Sequence, residues 1–251
     1  MPLTVRPEAG IAIVRMAHGP VNALDLELCT DIAGACGALA RDPTIDAVVL
    51  CGNEGVFSAG VDLKQILAAG DGYTGEFLTA LATCFLAVHQ LPKPTVAAVG
   101  GHAIAGGCVL ACACDHAIAA DGSARIGLTE LAVGAPFPTS ALEIVRGRVH
   151  QRLGEVMLGA ATYLPREALE IGFVDEVVAP ASLAERATTV ATRLARIPAP
   201  TFALTKQQLQ FPVRAAIAQR SADWEPQVHR LWNSAQVRAA MRRFVRDTLG
   251  S

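Results

Sequence analysis

Residues 95–114 read TVAAVGGHAIAGGCVLACAC, and this stretch decides the fold class of the chain. Its β-branched start, Thr95–Val99, is typical of a buried strand, and its uncharged end, 106–114, predicts a helix. The glycine pairs Gly100-Gly101 and Gly106-Gly107 let the backbone at this junction approach a neighbouring segment or a ligand closely. A buried strand, a glycine-containing loop and a helix together predict one unit of an α/β fold.

The same order of strand and helix recurs on both sides of this unit. A hairpin is predicted across Glu8-Ala9-Gly10, because the residues that flank this turn alternate in polarity. Apolar residues at helical spacing follow, so the opening unit is strand, strand, helix. The predicted strands are 4–6, 11–15, 47–51, 95–99, 116–119 and 124–126, and the predicted helices are 24–39, 61–68, 75–90, 106–114, 140–149, 151–158 and 165–171.

The C-terminal part of the chain has a helical pattern almost throughout. Two proline-containing interruptions, 197–200 and Phe211-Pro212, predict breaks in that helical region. We take the first as the boundary between a core over 1–196 and a helical C-terminal region over 197–251. The last segment, 237–249, is basic and amphipathic, which predicts a final helix.

The composition excludes several classes of partner. Of the 251 residues 52% are hydrophobic and 18% are charged, which favours a packed core over a disordered chain. A net charge of -2 provides no broad basic surface, so nucleic acid is not an expected partner. The uncharged stretch 94–114 is long enough to span a bilayer, but four glycines and His102 interrupt it, and we predict no membrane insertion.

The cysteines indicate a reducing compartment. The N-terminus lacks the apolar segment of a secretory signal, so we expect reduced thiols and a cytoplasmic location. A metal site at Cys108, Cys112 and Cys114 is not predicted, because their C-x3-C-x-C spacing matches no common zinc pattern. The seven cysteines are Cys29, Cys36, Cys51, Cys84, Cys108, Cys112 and Cys114.

Two loop segments have the pattern of an anion-binding backbone. Residues 55–63 (GVFSAGVDL) and 100–108 (GGHAIAGGC) each follow a predicted strand and precede a helix. A helix N-terminus leaves amide donors unpaired and carries partial positive charge, which suits an oxygen on which negative charge develops. The alternatives are a simple turn capped by Asp62 and, in the second segment, glycines that serve packing. Neither the dinucleotide fingerprint nor a P-loop is present in the second segment.

A third segment, 126–134 (IGLTELAVG), places one carboxyl group between apolar residues. Burial of an acid raises its pKa toward the range in which it serves as a general base or acid. Glu130 is therefore the candidate proton-transfer group. The alternative is a glutamate on a surface loop.

Taken together with GPVNAL at 19–24, these segments resemble the crotonase (enoyl-CoA hydratase/isomerase) superfamily in order and spacing. The resemblance rests on FSAGVDL at 57–63, on AGG at 105–107 and on the segment that contains Glu130. It implies a spiral of repeated ββα units with a helical C-terminal oligomerisation part. It also implies an acyl-CoA substrate, no cofactor, no metal, and a homotrimer or a dimer of trimers.

The resemblance assigns roles to individual residues. The catalytic group would be Glu130, with the backbone amides of Val61 and Gly106 holding the thioester oxygen. Phosphates of CoA would be bound by Lys64 or by Arg242, Arg243 or Arg246, although these are equally typical of a solvated face. His102, Asp115 and His116 lie near the second segment in sequence, and we interpret them as structural. The implied substrate and CoA contacts are Asn22, Ala59, Asp62, Leu63, Lys64 and Leu128.

One departure from the family pattern bears on the reaction. Hydratases of the family use two glutamates, one of them three residues after the oxyanion-hole glycine, and this chain has Val109 there. Valine neither orients nor deprotonates a water molecule, whereas moving a double bond needs only one base. AGGCVLA at 105–111, IGLTE at 126–130 and APF at 135–137 also resemble the mitochondrial-type Δ3,Δ2-enoyl-CoA isomerases. The alternatives are a hydratase that uses Glu130 and a water molecule held by other groups, a dehydratase, a thioester hydrolase, and a non-catalytic acyl-CoA-binding paralogue.

Overall fold

The computed structural model describes residues 2–149 and 151–248, which form two β-sheets surrounded by helices. In chain order the strands are β1 (Leu3–Glu8), β2 (Ile11–Met16), β3 (Ala47–Cys51), β4 (Gly55–Ser58), β5 (Thr95–Val99), β6 (Gly101–Ile104), β7 (His116–Ala120), β8 (Ile126–Gly127), β9 (Thr162–Tyr163) and β10 (Glu176–Val178). The helices are α1 (Leu26–Arg41), α2 (Leu63–Ala68), α3 (Asp71–His89), α4 (Gly106–Ala113), α5 (Thr139–Arg148), α6 (Leu153–Gly159), α7 (Pro165–Ile171), α8 (Leu183–Ala195), α9 (Ala199–Trp232) and α10 (Ala235–Thr248).

The strands form two sheets, one of six strands in the order β1-β2-β3-β5-β7-β10 and one of four strands in the order β4-β6-β8-β9. The hairpin β1-β2 lies within the larger sheet, whereas the strand pairs β3/β4, β5/β6 and β7/β8 each place their first strand in the larger sheet and their second in the smaller one. From β2 to β10 all pairings in the larger sheet are parallel, and β5 is buried at every residue. Parallel strands covered on both faces have continuous apolar sequences, which explains the run Thr95–Val99. Helix α8 covers one face of this sheet.

Most of the smaller sheet was not predicted from sequence, because its strands are short and three of the four contain glycine; the predicted strand 124–126 overlaps β8 only at Ile126. Residues 55–58 and 101–104 were interpreted as loops, and they form β4 and β6. A β-carbon on Gly101 would lie 1.9 Å from the carbonyl oxygen of Gly55, and one on Gly107 would lie 2.3 Å from that of Ser58. Glycine at these positions therefore allows β6 and α4 to pack directly against β4, which places the two candidate loops side by side.

The predicted break at Phe211-Pro212 is wrong. Helix α9 continues for 34 residues through Pro212 and Pro226. Side chains anchor it on both sides of the first proline: Lys206 Nζ lies 2.7 Å from Asp115 Oδ2, and buried Trp232 ends the helix. Tertiary packing thus compensates for the backbone hydrogen bond that a proline removes. The division at 196/197 stays a prediction, and Leu249, the end of the predicted final helix, lies outside the described residues.

The uncharged stretch 94–114 is divided among β5, β6 and α4. Among the helices in the described part of the chain, none combines the length and the hydropathy that crossing a bilayer requires. The cysteines at its end are buried, with Cys112 Sγ 3.9 Å from the carbonyl oxygen of Phe173 and Cys114 Sγ 3.8 Å from that of Leu110. These thiols pack in the core.

Candidate active site

The amide of Val61 is a free donor at the start of α2. Its neighbours pair with Leu24 in an isolated parallel bridge, in which Leu24 N donates to Gly60 O at 2.7 Å and Asp62 N donates to Leu24 O at 2.9 Å. The amide between these bonds points away from Leu24 and has no acceptor among residues 2–149 and 151–248. The Asp62 carboxylate accepts from Gln65 N at 2.9 Å and so caps the helix.

The amide of Gly106 is the second free donor. It is the first helical residue of α4, and it too lacks an acceptor within the described chain. The preceding residue, Ala105, has φ 50° and ψ -123°, a conformation that costs a non-glycine residue roughly 1–3 kcal/mol. The bond from Ala105 N to Gly127 O, 2.8 Å long, helps to hold this strained turn in place.

The two donor loops are in direct contact through Gly60. This residue has φ +83°, and a β-carbon on it would lie 2.7 Å from Ile104 O, 2.9 Å from Ala105 Cβ and 3.3 Å from Gly106 N. Only glycine adopts this conformation and this spacing without strain. The amides of Val61 and Gly106, neither of which has an acceptor among the described residues, therefore belong to adjoining turns.

Asn22 fastens the first donor loop to the N-terminal part of the chain. It is fully buried, its Nδ2 donates to Phe57 O at 3.1 Å, and its Oδ1 accepts from His18 N at 2.8 Å. The hydroxyl of Ser58 donates in turn to Asn22 O at 2.8 Å. Asn22 thus supports the loop through these hydrogen bonds, and it is not part of the cavity wall that the described residues form.

The donor loops face a cavity of about 730 Å³. Of the predicted site residues, Ala59, Val61, Asp62, Leu63, Lys64 and Glu130 lie on its wall. Gly106 adjoins the wall through Ala105, while Leu128 is fully buried in the core behind it. The remaining lining residues are His18, Gly19, Pro20, Val21, Ala23, Ile104, Ala105, Thr129, Val133, Ala135, Trp232, Phe244 and Thr248.

Glu130 is a buried carboxyl group that has no charged partner within residues 2–149 and 151–248. It opens a 3₁₀ turn, Glu130–Val133, and is 9% exposed. Its Oε2 is buried and has no hydrogen-bond partner among the described residues. Burial raises the pKa of Glu130 from 4.5 to about 8, against the opposing effect of its own amide and that of Thr129. Such a group both releases and takes up a proton near neutral pH.

The sequence pattern did not reveal the part of the cavity wall contributed by the C-terminal helices. Trp232 ends α9, and Phe244 and Thr248 lie on one face of α10. His18, which was also not predicted, lies at the wall with Nε2 2.7 Å from Asp25 Oδ2. The only sequence signal was the amphipathic pattern of the last helix, which predicts an apolar face but not the surface that it covers.

The predicted phosphate-binding residues differ in position. Lys64 is exposed on the cavity wall, whereas Arg242, Arg243 and Arg246 are exposed on α10 and do not line the cavity. The groups interpreted as structural have structural contacts. Asp115 pairs with Lys206, His116 Nε2 lies 3.0 Å from Glu176 Oε1, and His102 Nδ1 accepts from Arg125 N at 3.1 Å.

Two backbone amides and a carboxyl oxygen, none of them paired within the described residues, thus lie at or next to one largely apolar cavity. The sequence pattern of the enoyl-CoA hydratase/isomerase family matches residues 6–248. The chain belongs to this family, and the prediction of a crotonase fold of ββα units with a helical C-terminal part is confirmed.

The chain resembles relatives that are named as enoyl-CoA isomerases and others that are named as enoyl-CoA hydratases. The mitochondrial enoyl-CoA delta isomerase 1 of Rattus norvegicus is 33% identical over 220 residues, covering 86% of this chain and 76% of the relative. A putative enoyl-CoA hydratase of Thermus thermophilus is 34% identical over 212 residues, covering 82% and 83%. The crystal structure of human mitochondrial Δ3-Δ2-enoyl-CoA isomerase matches with a TM-score of 0.93 at 26% identity, over 98% of each chain. These comparisons establish the family.

Proposed function

We propose that the protein moves the double bond of a 3-enoyl-CoA to the 2-position. One observation carries the proposal: Glu130 is a single unpaired acid on a cavity next to two free amides, and Val109, in the position of the hydratases' other glutamate, is fully buried. An isomerase needs one base that removes a proton from C2 and returns it at C4. The similarity to two mitochondrial isomerases supports the same reaction.

The proposed mechanism uses only the groups at the cavity wall. The thioester oxygen accepts hydrogen bonds from the amides of Val61 and Gly106. The ionised carboxylate of Glu130 takes a C2 proton, and the C–H electrons move into a dienolate whose negative charge rests on the thioester oxygen. The protonated Glu130 then delivers the same proton to C4, and the 2-enoyl thioester forms as the charge leaves the oxygen. Fixed donors of this kind contribute roughly 2.7–4 kcal/mol each to the transition state.

This mechanism requires no cofactor or metal, because one proton moves and the electrons rearrange within the substrate. The CoA part of the substrate would lie near Lys64, the exposed cation on the cavity wall, which suits a phosphate group. The thioester would then reach the free amides at the start of α2 and α4.

A hydratase is the second candidate, because a relative of similar identity bears that name. It would need another group to hold and activate water. Asp62 is the other acid on the described cavity wall, but its carboxylate already accepts from Gln65 N at 2.9 Å. Because this carboxylate already caps α2, it is less suited to activating water, and this favours the isomerase.

The proposal is tested with Glu130→Gln, which keeps the shape of the side chain but removes the base. Turnover of trans-3-hexenoyl-CoA should fall by roughly 10²–10⁴-fold, while the dissociation constant of CoA stays within about twofold. Glu155→Gln is the control, because Glu155 is exposed on α6 and pairs with Arg152 far from the cavity wall. Retention of most turnover by the Glu130 variant would refute the proposal.

We also propose assembly into a homotrimer or a dimer of trimers through the helical C-terminal part. Large apolar side chains are exposed along α9, with Leu204 58%, Leu209 76% and Phe211 69% exposed. Several large apolar side chains exposed on one helix suit contact with another copy of the chain. Light scattering after size exclusion should give a mass of three or six chains, and a monomer mass would contradict the proposal.

A further inference from the structure

The cavity wall beyond Glu130 is apolar and continuous. Residues three apart in a 3₁₀ turn face the same side, so Val133 follows Glu130 along the wall, and Ala135 comes next. The indole of Trp232 is joined to this strip, because its Nε1 donates to the carbonyl oxygen of Pro136 at 3.0 Å. One surface of the cavity therefore runs from the carboxyl group of Glu130 to the apolar side chains of Val133, Ala135 and Trp232.

The proposed reaction sets the direction of the acyl chain relative to this surface. The thioester oxygen is held at Val61 and Gly106, and C2 and C4 both have to reach Glu130. The CoA part extends toward the polar residues His18 and Lys64. The carbons after C4 must then continue past Glu130 onto the hydrocarbon part of the wall, where apolar burial stabilises them.

Trp232 lies on the part of the wall toward which the acyl chain would extend, and its contacts hold it rigidly. It is 2% exposed, and its hydrogen bond to Pro136 fixes the plane of the indole. Helix α10, which follows it, is fastened to α2 by Arg238, whose Nη2 donates to Leu67 O at 3.1 Å and to Ala69 O at 3.2 Å. Phe244 on α10 closes the side of the cavity. This wall is packed against core residues, so it has little room to move and admit a longer acyl chain.

We propose that Trp232 is the specificity-determining residue for acyl-chain length, and that its indole stops the chain so that short 3-enoyl thioesters are preferred. The inference rests on the proposed isomerase function and adds the class of substrate to it. A smaller side chain at this position should open room for further methylenes, each of which is worth roughly tenfold or more in selectivity in an apolar pocket.

The first test compares kcat/KM for trans-3-hexenoyl-, octenoyl-, decenoyl- and dodecenoyl-CoA. Trp232→Leu should raise the ratio of dodecenoyl to hexenoyl turnover by roughly tenfold or more, and Trp232→Phe should raise it less. The chain has two tryptophans, and Trp224, which is 54% exposed and lies outside the cavity wall, is the matched control. An unchanged ratio in the Leu variant, or an equal change in Trp224→Leu, would overturn the inference.

A second test does not depend on the folding of a Trp232 variant or on turnover. Trp224→Phe leaves Trp232 as the single tryptophan, so its fluorescence reports on this wall alone. Titration with saturated acyl-CoAs should change the emission for octanoyl-CoA but not for acetyl-CoA at equal occupancy. Binding of octanoyl-CoA without any change would refute the chain-stop role, whereas absence of isomerisation with the fluorescence change present would refute only the proposed reaction.

Discussion

Replacing Glu130 by glutamine should change the pH dependence of stability as well as activity. The pKa of Glu130 is raised to about 8 in the folded protein, whereas the ordinary value of 4.5 applies to the unfolded chain. The folded state therefore holds this proton more tightly, and wild-type stability falls as the pH rises from 4.5 to about 8. At about 1.4 kcal/mol per pH unit, the full loss is about 5 kcal/mol, and glutamine has no proton to lose.

The assay is urea unfolding of wild type and Glu130→Gln at a fixed protein concentration, with reductant, from pH 5 to pH 9. The difference in unfolding free energy should grow in favour of the variant by several kcal/mol and level off above about pH 8. Titration of all other groups cancels in this difference, and Glu155→Gln should show no comparable trend. A difference that stays constant across this range would refute the argument that burial destabilises the Glu130 carboxylate.

Three further outcomes are expected. The kcat/KM for isomerisation should rise with pH, reach half of its maximum near pH 8 and level off above it, because the base must be ionised; a flat profile from pH 5 to pH 7 would contradict the raised pKa of Glu130. Gly60→Ala should lower kcat by roughly 10²-fold or more by separating the donor loops, and kcat within twofold of wild type would count against an oxyanion hole at Val61 and Gly106. Arg238→Met should destabilise the protein by roughly 1.5–3 kcal/mol in urea unfolding and speed hydrogen exchange in α10, and unchanged exchange would show that the contacts to Leu67 and Ala69 do not hold this helix.

Local sequence signals predicted five of the six strands of the larger sheet and missed β10. Strand β5 is a continuous apolar run because both faces of its sheet are covered, and helix α7 begins at Pro165, which suits the first turn of a helix. The small strands β4 and β6 were missed because glycines that allow close packing also look like loop residues. Proline at 212 predicted a break, but anchoring contacts from distant segments keep α9 continuous.

The candidate residues of the site were easier to single out than the walls of the cavity. Each donor loop and Glu130 lies in a contiguous segment, and the resemblance of these segments to the crotonase superfamily made them candidates where residue type alone left alternatives open. Trp232 and Phe244 reach the cavity from more than a hundred residues away in the chain, and no local pattern encodes that contact. The catalytic and binding roles of all the predicted site residues stay predictions, as does a cytoplasmic location.

The central claim is that Glu130 alone transfers a proton from C2 to C4 of the substrate and that the protein adds no water to the double bond. Purified protein should be incubated with trans-3-hexenoyl-CoA and, separately, with trans-2-hexenoyl-CoA, while thioester absorbance and product mass are followed. The first substrate should gain a conjugated double bond without a change of mass, and the second should gain no water. A hydrated product from the second substrate, with no isomerisation of the first, would contradict the account and make the protein a hydratase.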